Sequence, residues 1–257
     1  MRVKIFKPGP LLAPFVRTFT VIEAQAETTR TLIPEPGAVL GFRYRGFSEQ
    51  VEAGTPVRLP DMVFTGIRET VRHMRTSAGG GIVVAALRET AFAELFSGSP
   101  HELPGTTIPL EELVCRSEIE RIASTIRNAT DDEARVSIVE RFLLARRLHG
   151  RADSLVSAAV RVIHSTHGSA RIAALASQLD ISQDRLEKRF RRTVGLSPKR
   201  LASIVRLRHA IGLHRPGMPL AQLSADAGYF DQSHFIREFR SIVGQTPQRF
   251  FDASRHC

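Results

Sequence analysis

Gly228-Tyr229-Phe230-Asp231-Gln232-Ser233-His234-Phe235-Ile236-Arg237-Glu238-Phe239-Arg240, followed by Gly244-Gln245-Thr246-Pro247-Gln248-Arg249-Phe250, decides the fold of the C-terminal part of this chain. Gly228 suits a turn that needs positive φ, and Asp231 is placed to cap the next helix. Phe235, Phe239 and Ile242 then recur on one face of a 3.6-residue helix, with Val243 beside them. Ser233, Arg237, Arg240 and Ser241 fall on the opposite face. One face is built for a core, and the other offers donors and positive charge. Gly244 ends that helix, while Thr246-Pro247 fits the cap and first position of another.

The same text occurs twice. Residues 172–198 align with residues 220–247: at an offset of 49, Gln183 meets Gln232, Leu186 meets Phe235, Phe190-Arg191 meets Phe239-Arg240, and Val194-Gly195 meets Val243-Gly244. At an offset of 48, Leu175 meets Leu223 and Asp180 meets Gly228 at the turn. A small residue in each first helix (Ala176, Ser224), a tight turn and an apolar anchor in the second helix are what two closely crossing helices need. That geometry turns the second helix outward, exposing Asp184, Lys188, Arg191 and Arg192 in the first copy. Leu186, Phe190, Phe235 and Phe239 are core residues and carry no readout. Between the copies, Pro198 to about His214 has helical composition, and about 16 residues of helix span about 24 Å. Such a spacer can set two recognition helices about one DNA turn, near 34 Å, apart.

These motifs (Gly-Tyr, Ser-x-Phe, Phe-Arg, Gly-x-x-Pro) resemble the helix-turn-helix signature of the AraC/XylS family of transcription regulators. The resemblance covers about residues 153–252 and implies a seven-helix all-α domain with helix-turn-helix motifs at about 172–195 and 220–244. It implies base contacts from Asp184, Glu187, Lys188, Gln232, Ser233, His234 and Arg237. Arg191, Arg192, Arg240 and the helix N-termini are better placed for phosphates. Acidic residues at 184 and 187 differ from the aromatic and amide residues some members use. They could accept from cytosine N4, or repel wrong phosphate registers. The implied partners are double-stranded DNA with a bipartite site in two adjacent major grooves, together with a small-molecule effector, RNA polymerase and a second copy of the chain.

Charge supports a division of labour. Residues 151–257 hold 17 Lys+Arg against 8 Asp+Glu, whereas residues 1–150 hold 19 against 18. Nearly all of the +10 excess thus lies in the C-terminal part, as for a polyanion-binding module joined to a near-neutral one. The domains are read as 1–150 and 151–257, with the boundary in Gly150-Arg151-Ala152-Asp153 and Asp153 capping a helix that runs to about His164.

The N-terminal half is strand-rich at first. Val3–Phe6, Val16–Ile22, Val39–Arg45, Val57–Leu59, Met62–Thr65 and Val71–Arg75 read as short strands of a small antiparallel sheet or barrel. Gly79-Gly80-Gly81 reads as a hairpin turn before the strand Ile82–Leu87, since it lacks the Lys-Ser/Thr of a phosphate loop. Glu89–Phe96 then reads as a helix, Leu103–Leu113 as a connector entering a helix, and Glu118–Asn128 and Asp131–Leu148 as amphipathic helices. The overall class is α+β. This half more loosely resembles the β-rich sensor domains ahead of AraC-type DNA-binding domains, through Leu12-x-Pro14-Phe15-Val16, the step near Arg88 to Phe96, and Pro109-Leu110 to Leu113.

Other chemistry finds little footing. Cys115 and Cys257 form no CxxC and no zinc set. His73 and His101 stand alone, so no metal site and no cofactor are expected. The alternative, a DNA-repair or other enzyme targeted to DNA by the C-terminal module, needs an activated cysteine, and Leu113-Val114-Cys115-Arg116-Ser117 supplies neither Pro-Cys-His nor a zinc setting. No Gly-x-Ser-x-Gly elbow occurs, so no catalytic residue is expected. No apolar run reaches the roughly 20 residues of a membrane span, and the amino terminus lacks an apolar signal segment. The simplest location is the bacterial cytoplasm.

Overall fold

The computed structural model describes residues 1–52, 54–97, 103, 105–146 and 153–254. His101, Cys257, the end of the helix expected to reach Leu148, and Gly150-Arg151-Ala152 of the expected boundary lie outside the described residues.

The described residues of the N-terminal half form ten strands: β1 (Arg2–Phe6), β2 (Val16–Glu23), β3 (Thr28–Leu32), β4 (Val39–Arg45), β5 (Ser48–Glu52), β6 (Thr55–Arg58), β7 (Met62–Thr65), β8 (Arg72–Thr76), β9 (Gly81–Leu87) and β10 (Thr107–Pro109). They form two antiparallel sheets, a six-stranded one in the order β1-β2-β9-β4-β7-β10 and a four-stranded one in the order β3-β8-β5-β6. Side chains alternate between faces along a strand, and the larger sheet uses both. Phe19, Val21, Leu40, Phe42, Val83, Ala85 and Leu87 are buried together with Ile126, Val139 and Phe142. These last come from helices α2 (Arg116–Asn128) and α3 (Asp132–Ala145), which follow the short helix α1 (Phe92–Leu95). Phe42 meets Phe142 edge-on at 5.6 Å. Register makes the alternation continuous, because Leu40 pairs with Ala85 and Phe42 with Val83, whereas Gly41 pairs with Val84 and Arg43 with Ile82.

Three expectations for this half change. Glu89–Phe96 is helical only over Phe92–Leu95, because Glu89 is held in the preceding turn by Arg17 and His164. The connector Leu103–Leu113 contains the edge strand β10, whose Pro109 lacks an N–H and closes the ladder, followed by a 3₁₀ turn over Leu110–Glu112. Gly79-Gly80 does form a turn, but β8 and β9 on either side belong to different sheets, so no hairpin results.

The C-terminal half folds as seven helices over residues 154–254: α4 (Ser154–Ser165), α5 (Ile172–Gln178), α6 (Gln183–Val194), α7 (Pro198–Leu213), α8 (Leu220–Asp226), α9 (Gln232–Val243) and α10 (Pro247–Ser254). The chain therefore joins an N-terminal β-rich region to a C-terminal helical one, in an α+β plan. Among the described residues no helix is long and apolar enough to cross a membrane. The helical half has two cores. One gathers Val156, Ile163, Leu175, Leu186, Phe190 and Leu201, and the other Leu207, Leu223, Phe235, Phe239 and Ile242. Helix α7 contributes to both, with Leu201 and Ile204 to the first and Leu207 and Ala210 to the second.

Candidate nucleic-acid interface

Local chemistry starts and stops each recognition helix. Ser182 accepts from Arg185 N at 3.2 Å to cap α6, and Asp231 accepts from His234 N at 2.6 Å to cap α9. Both helices run 12 residues and end on glycines in the left-handed region, Gly195 at φ 91° and Gly244 at φ 79°. The turns entering them also need positive φ, supplied by Gly228 at 75° and by Asp180 at 54°. Aspartate tolerates that region better than most residues, so the first copy manages without glycine. Ala176 and Ser224 are both buried at the helix crossings, as close approach requires.

Each recognition helix is also pinned to a scaffold helix by a two-pronged ion pair. Arg189 on α6 donates Nε and Nη2 to Asp153 at 3.0 and 2.8 Å, so Asp153 both caps α4 and holds α6. In the second copy the equivalent position is Glu238, which accepts two bonds from Arg206 Nη2 on α7 at 3.0 and 2.8 Å and one from Ser203 Oγ at 3.1 Å. Arg206 also lies over the Tyr229 ring, 4.6 Å from its centroid. The repeat thus keeps the anchor and reverses its polarity. Paired guanidinium–carboxylate forks fix orientation better than a point contact does.

The outward faces of the two helices differ in charge. On α6, Asp184 and Lys188 are exposed and pair with each other at 2.9 Å, and half-buried Glu187 lies 3.8 Å from exposed Arg191. Arg192 is exposed beside them. The acidic side chains at 184 and 187 therefore offset cations one turn away on their own helix. On α9, Gln232, Ser233, Arg237 and Arg240 are all exposed. No hydrogen bond or ion pair within the described residues engages the guanidinium of Arg237 or of Arg240. His234 is half-buried, edge-on to Tyr229 at 5.4 Å and with Nε2 3.7 Å from Glu238, at the border of the exposed face. The predicted residues thus fall on two outward helix faces, and each helix also carries two exposed arginines with no ion pair among the described residues, Arg185 and Arg192 on α6 and Arg237 and Arg240 on α9. Phe230 stands 93% exposed in the turn ahead of α9, beside the predicted residues.

The N-terminal half grips the other ends of these helices. Val71 N donates to Ile242 O at 3.0 Å near the C-terminus of α9. Ile67 is buried in the core of the first helix-turn-helix, beside Val194 near the end of α6. Further links run from Arg200 to Glu69, from Arg208 to Glu35 at 2.8 Å, and from His164 Nε2 to Glu89 at 2.7 Å. The N-terminal ends of α6 and α9 stay exposed, while near their C-terminal ends they meet the loop between β7 and β8 through Ile67 and Val71.

Nothing comparable surrounds the isolated histidine and cysteine. His73 Nδ1 lies 2.9 Å from Thr31 Oγ1. Cys115 is exposed, with Sγ 3.2 Å from Ser117 Oγ, a contact that holds the thiol below its ordinary range. Among the described residues no group of three His, Cys, Asp or Glu side chains could hold a metal ion.

Residues 175–253 match a helix-turn-helix domain family. The chain is 28% identical over 118 residues to the Msm operon regulatory protein of Streptococcus mutans, covering 44% of this chain and 42% of that protein. It is 30% identical over 124 residues to the arabinose operon regulatory protein of Salmonella typhimurium, covering 45% and 44%. The chain therefore spans less than half the length of these curated relatives. The crystal structure of an apo ToxT variant from Vibrio cholerae shares the fold over 95% of this chain and 98% of that one, with a TM-score of 0.50 and 12% identity.

Proposed function

The C-terminal helical region is an AraC/XylS-type helix-turn-helix domain, and from that premise we propose that the whole protein is a sequence-specific, DNA-binding transcription regulator rather than an enzyme. The observation that carries this is the pair of capped, outward-facing helices α6 and α9, joined by one 16-residue helix and set in a region of net charge +9. Helix α7 spans about 24 Å, so it serves to bring α6 and α9 into successive major grooves on one side of the duplex. Gln232, Ser233, His234 and Arg237 read bases from α9, and Asp184, Glu187 and Lys188 from α6, while Arg191, Arg192 and Arg240 take phosphates. Residues 1–150 act as the effector and dimerisation region and residues 151–257 as the DNA-binding region. The protein works in the bacterial cytoplasm with RNA polymerase as a further partner.

Affinity is expected to depend on salt. If several charges of residues 151–257 neutralise phosphates, log K falls linearly with log salt, with a slope of about −0.9 per contact. Titrations of a selected DNA site at several salt concentrations measure that slope. Salt-independent binding, or none at any salt, would sink the proposal.

Readout is expected to separate from fold at Arg237. Its guanidinium is exposed and unpaired among the described residues, so Arg237→Ala should leave the melting curve unchanged and cost about 1–3 kcal/mol of discrimination at one base position. Selection of bound sequences by both proteins reads this. Equal weakening at every sequence would make Arg237 a phosphate contact.

A further inference from the structure

The larger sheet buries one face against α2 and α3, and its other face looks across to the smaller sheet. Between them lies a cavity of about 490 Å³, within the range of small-molecule sites. Ile22, Val63, Ile82 and Val84 line it from the larger sheet, and Leu32 and Met74 from the smaller one. These are the alternate positions to the helix-facing core, as register requires: Gly41–Val84 and Arg43–Ile82 pair on the cavity side.

Among the described residues six arginines line this space: Arg17 and Arg208 beside Glu35 at the rim, and Arg30, Arg43, Arg68 and Arg72. Arg43 on β4 lines the cavity and is only 2% exposed, and its Nε and Nη1 have no hydrogen-bond partner. Asp61 is 3.9 Å away, too far for a hydrogen bond, and itself lies largely in solvent. Arg30 and Arg72 enter from the facing sheet, where β3 and β8 place them diagonally across the Arg30–Met74 and Leu32–Arg72 pairs. Neither has a carboxylate partner among the described residues, and Arg72 reaches only Thr65 Oγ1 at 3.4 Å. Burial, aided by the neighbouring charge of Arg68, lowers Arg72 to about 10, so it stays charged at neutral pH. Burying a charge without a counter-charge is costly. Arg43 is buried with only a distant, solvent-exposed carboxylate beside it, and Arg30 and Arg72 are half-buried with none among the described residues, so this wall holds positive charge that an entering anion would neutralise.

We propose that this cavity binds a compact organic dianion, a dicarboxylate or phosphomonoester, whose charged ends are clamped by Arg43 from one sheet and by Arg30 and Arg72 from the other. A neutral ligand supplies these three guanidiniums with no further counter-charge, and a monoanion supplies only one. The apolar side chains between them receive the carbon skeleton. Arg208 of α7 is the only residue of the helical half among the described lining residues, and it shares Glu35 with Arg17 at the half-exposed rim. An anion in the cavity competes with Glu35 for these two arginines and so alters the hold of the sheets on the spacer helix. That last step rests on the regulator proposal, whereas occupancy does not.

The test is calorimetric titration of the full-length protein with succinate, glycerol 3-phosphate, butyrate and glycerol at constant ionic strength, without DNA. Saturable binding of succinate or of glycerol 3-phosphate is expected, and whichever binds identifies the anionic group. Arg43→Met and Arg72→Met should each weaken it at least tenfold without lowering the melting temperature of the unliganded protein, since Arg43 is buried with two guanidinium nitrogens unbonded and Arg72 has no carboxylate partner among the described residues. Absence of saturable binding by either dianion, unchanged affinity in both variants, or equal binding of butyrate or glycerol would overturn the site. DNA affinity of the unsubstituted protein is measured apart. Its loss with dianion binding intact would strike the regulator proposal alone.

Discussion

Phe239→Ala is expected to unfold the second helix-turn-helix, at a cost of about 3–5 kcal/mol. The Phe239 ring is fully buried and is the hub of an aromatic cluster, 5.6 Å from Phe235, 5.4 Å from Phe250 and 5.8 Å from Phe251. It therefore ties α9 to α10, and truncation leaves a cavity that three other rings cannot fill without moving. The core of the first helix-turn-helix shares none of these residues, so α4 to α6 should persist. Circular dichroism should show partial helix loss at a lower temperature, and selection should return sites that keep only the half read by α6. A melting curve unchanged from the parent would show that Phe239 is not the anchor.

This half was legible from the sequence because its determinants are local or repeated. Asp231 caps the helix it precedes, Gly195 and Gly244 close their helices, and the correspondence of Asp180 with Gly228 placed a positive-φ residue at each turn. Apolar period alone then gave Phe190 and Phe239 their place in the core. What the sequence did not show was how charges pair. Lys188 and Arg191 looked like free cations, yet each lies beside a carboxylate one turn back.

The sheets were harder to read, and for a physical reason. Strand β3 (Thr-Thr-Arg-Thr-Leu) and strand β5 (Ser-Glu-Gln-Val-Glu) are polar, since one lines a charged cavity and the other holds Gln50 and Ser48 inward, so no apolar alternation marks them. Arg43 was visible as part of Val39–Arg45, but its alternation with Gly41 and Val39 on the cavity face acquires meaning only once a second sheet faces it. Contacts between the halves join residues far apart in sequence, such as Val71 with Ile242, and leave no local pattern.

The second large effect is expected at Glu89, where the halves are joined by a buried carboxylate. Its side chain is 4% exposed, and it accepts from Arg17 Nη2 at 2.7 Å and bonds His164 Nε2 of α4 at 2.7 Å. Because the carboxylate is ionised, the imidazole nitrogen facing it is the donor. Glu89→Ala leaves both donors without that acceptor, but Arg17 keeps Glu35 at 3.3 Å and His164 is partly exposed, so the cost should be about 2 kcal/mol rather than the full 3–5 of a broken buried pair. Burial alone would raise the Glu89 pKa, yet the His164 bond and the Arg17 charge outweigh it and the net shift is downward. A depressed carboxylate pKa means that its stabilisation is complete above the ordinary carboxylate range and is lost as pH falls through the folded value. Glu89→Ala should therefore be least stable relative to the parent at neutral pH, with the gap closing on acidification. Calorimetry should also show the halves parting. Among the described residues the N-terminal core contains none from the helical half, and the helical cores borrow from the N-terminal half only the loop residues Ile33, Ile67 and Val71, so each half can melt as its own unit once coupling weakens. A parent-like melting profile for Glu89→Ala at both neutral and acid pH would show that this carboxylate does not couple them.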